Sequence, residues 1–283
     1  MIRESTGEVK LIWRLILVIL LYVVILVLLR LIPIGCLTAS MVKDGMTRES
    51  AVEIARTIIF EDPIWSMGLG ILSGLMGFLM VWFLVRVVEK SAFAWKAFGL
   101  DWRRSSPSMI LLGVLLAGIL FAAYMLVAHL LGVSVPSANM LLAGVSLGVI
   151  FQKFFLFMAM GFGEEIVFRA YVQTKLVGRL GVIWGVLVAA LVFTLLHQIS
   201  YALSPVTLLS GLILWTTLGA LYHLTKSLYL VGTFHGIMNM LMNTLSFEVG
   251  NVDALIVHVL ALCLAIVIAL FKIRGSGIRT NPV

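Results

Sequence analysis

Apolar runs of membrane length recur along this chain, and no other feature restricts its fold as strongly. From Leu11 to Ile34 the only charged residues are Arg14 and Arg30. A helix crossing the hydrocarbon core of a bilayer takes about 20 mostly apolar residues. Runs approaching that length cover Leu11–Ile34, Trp65–Val88, Met109–Leu131, Leu141–Met160, Val182–His197, Pro205–Leu224, Leu228–Leu245 and Ala254–Phe271. The expected fold is all-α: a polytopic membrane helical bundle of about eight transmembrane helices, in a single integral-membrane domain over residues 1–283.

Composition agrees and excludes the other classes. Hydrophobic residues make up 62% of the chain and charged residues 12%, where a soluble domain carries roughly 25% charged residues. A soluble enzyme, a disordered regulator and a nucleic-acid-binding domain are excluded, so the lipid bilayer is an expected partner and nucleic acid is not. The net charge of +7 fits basic cytoplasmic loops. Cys36 and Cys263 cannot form a disulfide framework. The first run is too long for a secretory signal, Arg30 interrupts its end, and Pro33 stands where a lipobox carries Leu, so it reads as a retained span.

Basic residues set the orientation. They occur in the N-terminal tail (Arg3, Lys10), the second connection (Arg86, Lys90, Lys96, Arg103, Arg104), the fourth (Lys175, Arg179), the sixth (Lys226) and the C-terminal tail (Lys272, Arg274, Arg279). The third, fifth and seventh connections have none. Both termini are therefore expected in the cytoplasm of a multi-pass protein of the cell membrane. Residues Met41–Asp62 read as a short amphipathic helix outside, with Thr47 as N-cap and Glu49 in its first turn. Lys90–Ser108 reads as a cytoplasmic linker anchored at the interface by Trp95 and Trp102.

Eleven of the thirteen acidic residues fall in tails or connections. The other two are adjacent, Glu164 and Glu165, at the end of an apolar stretch. An ionisable group at bilayer depth costs on the order of 2.5–3.5 kcal/mol on insertion scales, so this pair needs compensation. Arg169, four residues after Glu165, shares its helical face and can pair with it. Glu164 points about 100° away, so the two carboxylates should do different jobs. The four-residue spacing recurs at Phe193 and His197 and again at His235 and Asn239. Inside a membrane such groups turn toward one another or toward water.

These three motifs, Glu164-Glu165-x-x-x-Arg169, Phe193-x-x-x-His197 and His235-x-x-x-Asn239, resemble in order and residue type those of the CPBP family. These are the CAAX protease and bacteriocin-processing proteins, also called the Abi family, which includes the eukaryotic type II CAAX prenyl endopeptidase. The resemblance covers about a quarter of the chain, within a motif-bearing core of residues 141–245. It implies an intramembrane glutamic endopeptidase: a glutamate activates a water for peptide-bond hydrolysis, and His235 and Asn239 stabilise the tetrahedral state.

The chemistry of the residues agrees. Hydrolysis without a covalent intermediate needs a water, a base for its proton and donors for the oxyanion. Glu164, the carboxylate not paired with Arg169, fits the base. His197 fits a partner for the same water, and His235 and Asn239 fit two donors aimed at one oxygen. Other intramembrane proteases would show HExxH, GxGD or GxSG, and none occurs. No cofactor is expected, although Glu164, His197 and His235 could also ligate zinc. The expected substrate is a peptide or a membrane protein. The rival readings are a proton- or ion-coupled transporter and a non-catalytic immunity or scaffold protein. His129, His223 and His258 read as interfacial or packed, Asn243 as helix glue, and Gly161 and Gly163 as points of close backbone approach.

The literal span boundaries conflict with this site. His197 would lie on the order of 22 Å from the cytoplasmic end of its span, whereas Glu164 would lie near that end of its own. A later start to the fourth span, near Ile150, would draw the glutamates deeper.

Overall fold

The computed structural model of the chain describes residues 10–132, 146–198, 204–244 and 254–261. Leu, Ile and Val dominate α1 (Leu11–Lys43), which ends in a turn where Gly45 takes a left-handed φ of +96°. Thr47 then caps α2 (Arg48–Glu61), its hydroxyl accepting from the Ser50 N–H at 3.4 Å. Asp62 opens α3 (Pro63–Val88) by accepting from the N–H groups of Ile64 and Trp65 at 2.9 and 3.1 Å. Pro63 sits at the first helical position, where its missing N–H costs nothing.

Beyond a single 3₁₀ turn at Trp95–Phe98 come α4 (Ser106–Leu130), α5 (Leu147–Leu180), α6 (Val182–Gln198), α7 (Pro205–Thr225) and α8 (Leu228–Thr244). A reciprocal capping box of Ser204 and Thr207 starts α7. Residues 254–261 are helical. All regular structure among the described residues is helical. Five helices, α1, α3, α4, α5 and α7, are long and apolar enough to cross a membrane, and α6 is a shorter apolar helix. Large side chains such as Leu20, Val24, Leu28 and Leu31 are exposed along α1, as a lipid-facing surface requires.

The fourth span differs from its expected bounds of Leu141–Met160. Residues 141–145 lie outside the described residues. The helix starts at Leu147 and continues 20 residues past Met160 to Leu180, so Glu164 and Glu165 lie at its middle. A hydropathy reading ends the span at the polar residues, but there the backbone changes to a π-helix (Ile166–Gln173) in which every residue is buried. The conflict of depths disappears with this correction.

Helix α5 is central, packed between α3 on one side and α8 on the other. Glycine permits both contacts. A Cβ on Gly161 would lie 2.7 Å from the Gly236 nitrogen of α8, and one on Gly163 would strike Gly74 of α3. Both are backbone collisions that no rotamer change relieves.

Candidate active site

The consequence of this packing is that α5 buries Glu165, Arg169 and Gln173 along its middle. Glu165 and Arg169 are fully buried, with Glu165 Oε2 3.1 Å from Arg169 Nε. The pair is Coulombic rather than a well-aligned hydrogen bond. Aromatic faces complete the guanidinium's surroundings: Phe193 at 5.1 Å and Trp215 at 5.8 Å from their ring centroids. The π turn also ties α5 to α7, where the Gln173 amide donates to the Gly219 carbonyl at 2.8 Å, and within α5 the Thr174 hydroxyl donates to the Arg169 carbonyl at 3.2 Å.

His235 of α8 bridges the two glutamates. Its Nδ1 lies 2.9 Å from Glu165 Oε1 and its Nε2 lies 3.7 Å from Glu164 Oε2. From α6, His197 brings Nε2 to 3.6 Å from the same Glu164 oxygen, while its Nδ1 bonds the Phe193 carbonyl at 3.1 Å. Two imidazoles on different helices thus face one oxygen of Glu164, at separations beyond direct hydrogen-bond length. Glu164 also lines a cavity between α1, α2, α3 and α5, together with Leu26, Arg30, Phe60, Ser66 and Met160.

Five of the six residues singled out in the sequence, Glu164, Glu165, Arg169, His197 and His235, therefore meet. Asn239 follows one turn after His235 on α8, half-buried. Its backbone carbonyl accepts from the Asn243 amide at 3.0 Å, a bond within α8 that ties no second helix. Among the described residues, no group of three or more His, Cys, Asp or Glu side chains is arranged to hold a metal ion.

Two contributors carry no spacing signal. Tyr22 of α1 is buried with its hydroxyl directed at Glu164, and its ring packs edge-on against Phe168 at 5.1 Å. Trp215 of α7 stands 5.2 Å from His197 and 5.0 Å from His235. Each is an aromatic inside an apolar helix, so only its position mid-span, rather than at an interface, could have marked it.

Residues 149–241 match the family model described as type II CAAX prenyl endopeptidase Rce1-like. The match supports a CAAX protease-like family. It covers about a third of the chain and includes all three motifs, from Glu164 to Asn239. No curated protein and no solved structure matches the chain. The match and the several membrane-length apolar helices support an integral, multi-pass membrane protein, and the matched family is one of proteases, which supports a peptidase acting on a peptide or protein.

Proposed function

We propose that this chain is an intramembrane endopeptidase in which Glu164 activates a water for peptide-bond hydrolysis. The observation that carries the reading is that Glu164, a residue of a cavity wall, holds Oε2 opposite two imidazole nitrogens, at 3.6 and 3.7 Å. These separations suit a shared water rather than direct bonds. Glu164 takes a proton from that water as its oxygen bonds to the scissile carbonyl carbon. The same proton then passes to the departing amine as the C–N bond breaks, which returns Glu164 to its starting form.

The remaining residues divide the other tasks. His197, with Nδ1 donating to Phe193, presents Nε2 to the water and orients it. His235 stabilises the oxyanion together with Asn239. Its Nε2 donates only when the ring carries both protons, and Glu165 on Nδ1 is the counter-charge of that form. Glu165 and Arg169 are positioning residues that hold His235. The reaction needs no metal.

The site belongs to one membrane domain with both termini in the cytoplasm. A reporter fused after Val283 should be active only as a cytosolic marker, and an external signal would overturn that orientation. The reaction itself is tested by comparing the membrane peptidomes of cells carrying the wild-type chain and Glu164→Ala. Products that vanish in the variant identify the substrate. Identical peptidomes would reject the peptidase reading.

A further inference from the structure

A second cavity, of about 170 Å³, lies outside the candidate active site, where the start of α4 meets the turn between α7 and α8. Asp101, Arg103 and Ser106 line it from one side, and Thr225, Lys226 and Ser227 from the other. Backbone bonds hold the two sides together. The Gly99 carbonyl accepts from the Leu228 N–H at 3.0 Å, and a Cβ on Gly99 would lie 2.6 Å from the Lys226 carbonyl oxygen. The Tyr229 hydroxyl donates to the Leu100 carbonyl at 2.8 Å. The cavity is thus built in advance of any occupant.

Two cations against one carboxylate leave its lining positive. Arg103 meets Asp101 through Nε, so its two terminal nitrogens remain as a fork of the kind that matches phosphate. Lys226 Nζ bonds His223 Nδ1 at 3.1 Å and keeps two of its three N–H groups. Ser106 and Ser227 are more than nine-tenths buried. Their hydroxyl oxygens accept backbone N–H groups, from Arg103 at 2.8 Å and from Leu230 at 3.4 Å, but donate to no described residue. A buried hydroxyl proton without an acceptor calls for one.

We propose that this cavity is a binding site for a phosphate group, gripped by Arg103 and Lys226 and receiving hydroxyl protons from Ser106 and Ser227. A phospholipid headgroup and a free phosphate offer the same chemistry. Trp102, exposed and edge-on to Tyr229 at 5.5 Å, is of a residue type that gathers at headgroup level. A bound phosphate would join the start of α4 to the start of α8 and so stabilise the fold by linkage.

The test follows thermal melting of the full chain in zwitterionic detergent at constant ionic strength. The probes are a short-chain phosphatidic acid, the diacylglycerol with the same chains, and inorganic phosphate. Phosphatidic acid should raise the melting midpoint saturably, and diacylglycerol should not. A saturable rise with phosphatidic acid alone identifies a headgroup; one with inorganic phosphate as well identifies a site for the free ion.

Arg103→Gln and Lys226→Asn should each weaken binding by about tenfold, the loss of one charge-assisted contact. Asn tolerates the left-handed backbone that Lys226 adopts at φ +51°. Ser227→Ala, which alters no charge, should weaken binding by a smaller factor. Arg104→Gln removes the same charge from an exposed residue outside the cavity and should leave affinity within about twofold, because salt screens it. Each variant's midpoint without ligand separates a folding defect from a binding defect. Equal weakening by Arg103→Gln and Arg104→Gln would overturn the proposal. So would a diacylglycerol shift matching that of phosphatidic acid, or no saturable shift with either phosphate probe.

Discussion

Two largely buried carboxylates on this molecule have opposite surroundings. Glu89, at the end of α3, has both oxygens engaged. Its Oε1 accepts from the Tyr171 hydroxyl at 2.8 Å and faces Arg14 Nη1 at 3.5 Å, while its Oε2 meets Lys175 Nζ at 2.7 Å. Glu164 has an oxygen with two imidazoles near it and neither within direct bonding range. A carboxylate with both oxygens engaged ties helices together, here α1, α3 and α5. One with spare capacity beside a cavity is suited to moving a proton. Burial alone does not separate the two; satisfaction does.

The largest expected effect breaks the Glu164 side of this contrast. Glu164→Gln removes the base and keeps the volume, so hydrolysis should fall by about two to four orders of magnitude, with detergent melting almost unchanged. A variant that remains active would show that Glu164 is not the base. Next is Glu165→Gln, which strands the Arg169 guanidinium among rings and loosens His235. Losing one partner of a buried pair costs on the order of 3–5 kcal/mol, readable as a drop in chemical-denaturation stability. Adding Arg169→Gln should restore part of that stability; no recovery would mean that the pair is not what holds this region.

Glu89→Gln should act on stability and not on chemistry. Losing the ionised acceptor for Lys175 and Tyr171 should cost about 1–3 kcal/mol, while turnover per folded molecule stays at the wild-type level. A selective loss of turnover would place Glu89 in the reaction after all. The smallest expected effect is that of a zinc chelator, which should leave activity where it was. Loss on chelation with recovery on adding zinc would turn Glu164, His197 and His235 into ligands.

The sequence disclosed those features that repeat or that violate their surroundings. Apolar runs located α3, α4, α6, α7 and α8 to within a few residues, Thr47 was legible as a cap, and paired glutamates in an apolar stretch marked the candidate site. The end of α5 was not legible. Gln173, Thr174 and Lys175 look like the start of a loop to any window that averages polarity, yet the π segment that ends at Gln173 is wholly buried. Glu89 was hidden for the converse reason. It lies in a stretch rich in charge, and only the fold brings Tyr171 and Lys175 to it. His258, read as interfacial or packed, is buried between the Tyr124 hydroxyl and the Ser210 hydroxyl.

The π segment of α5 also divides that helix into two angular frames. A wider turn advances each residue by less than the ~100° of an α-helix, so the side chains beyond Gln173 are out of phase with those before Glu165. Upstream, the helix aims Glu164 at the cavity; downstream, it aims Lys175 at Glu89. One unbroken α-helix would have coupled these directions, and satisfying one partner would have fixed the azimuth of the other. The π turn acts as a phase shifter that leaves chemistry and anchorage on one helix free to vary independently.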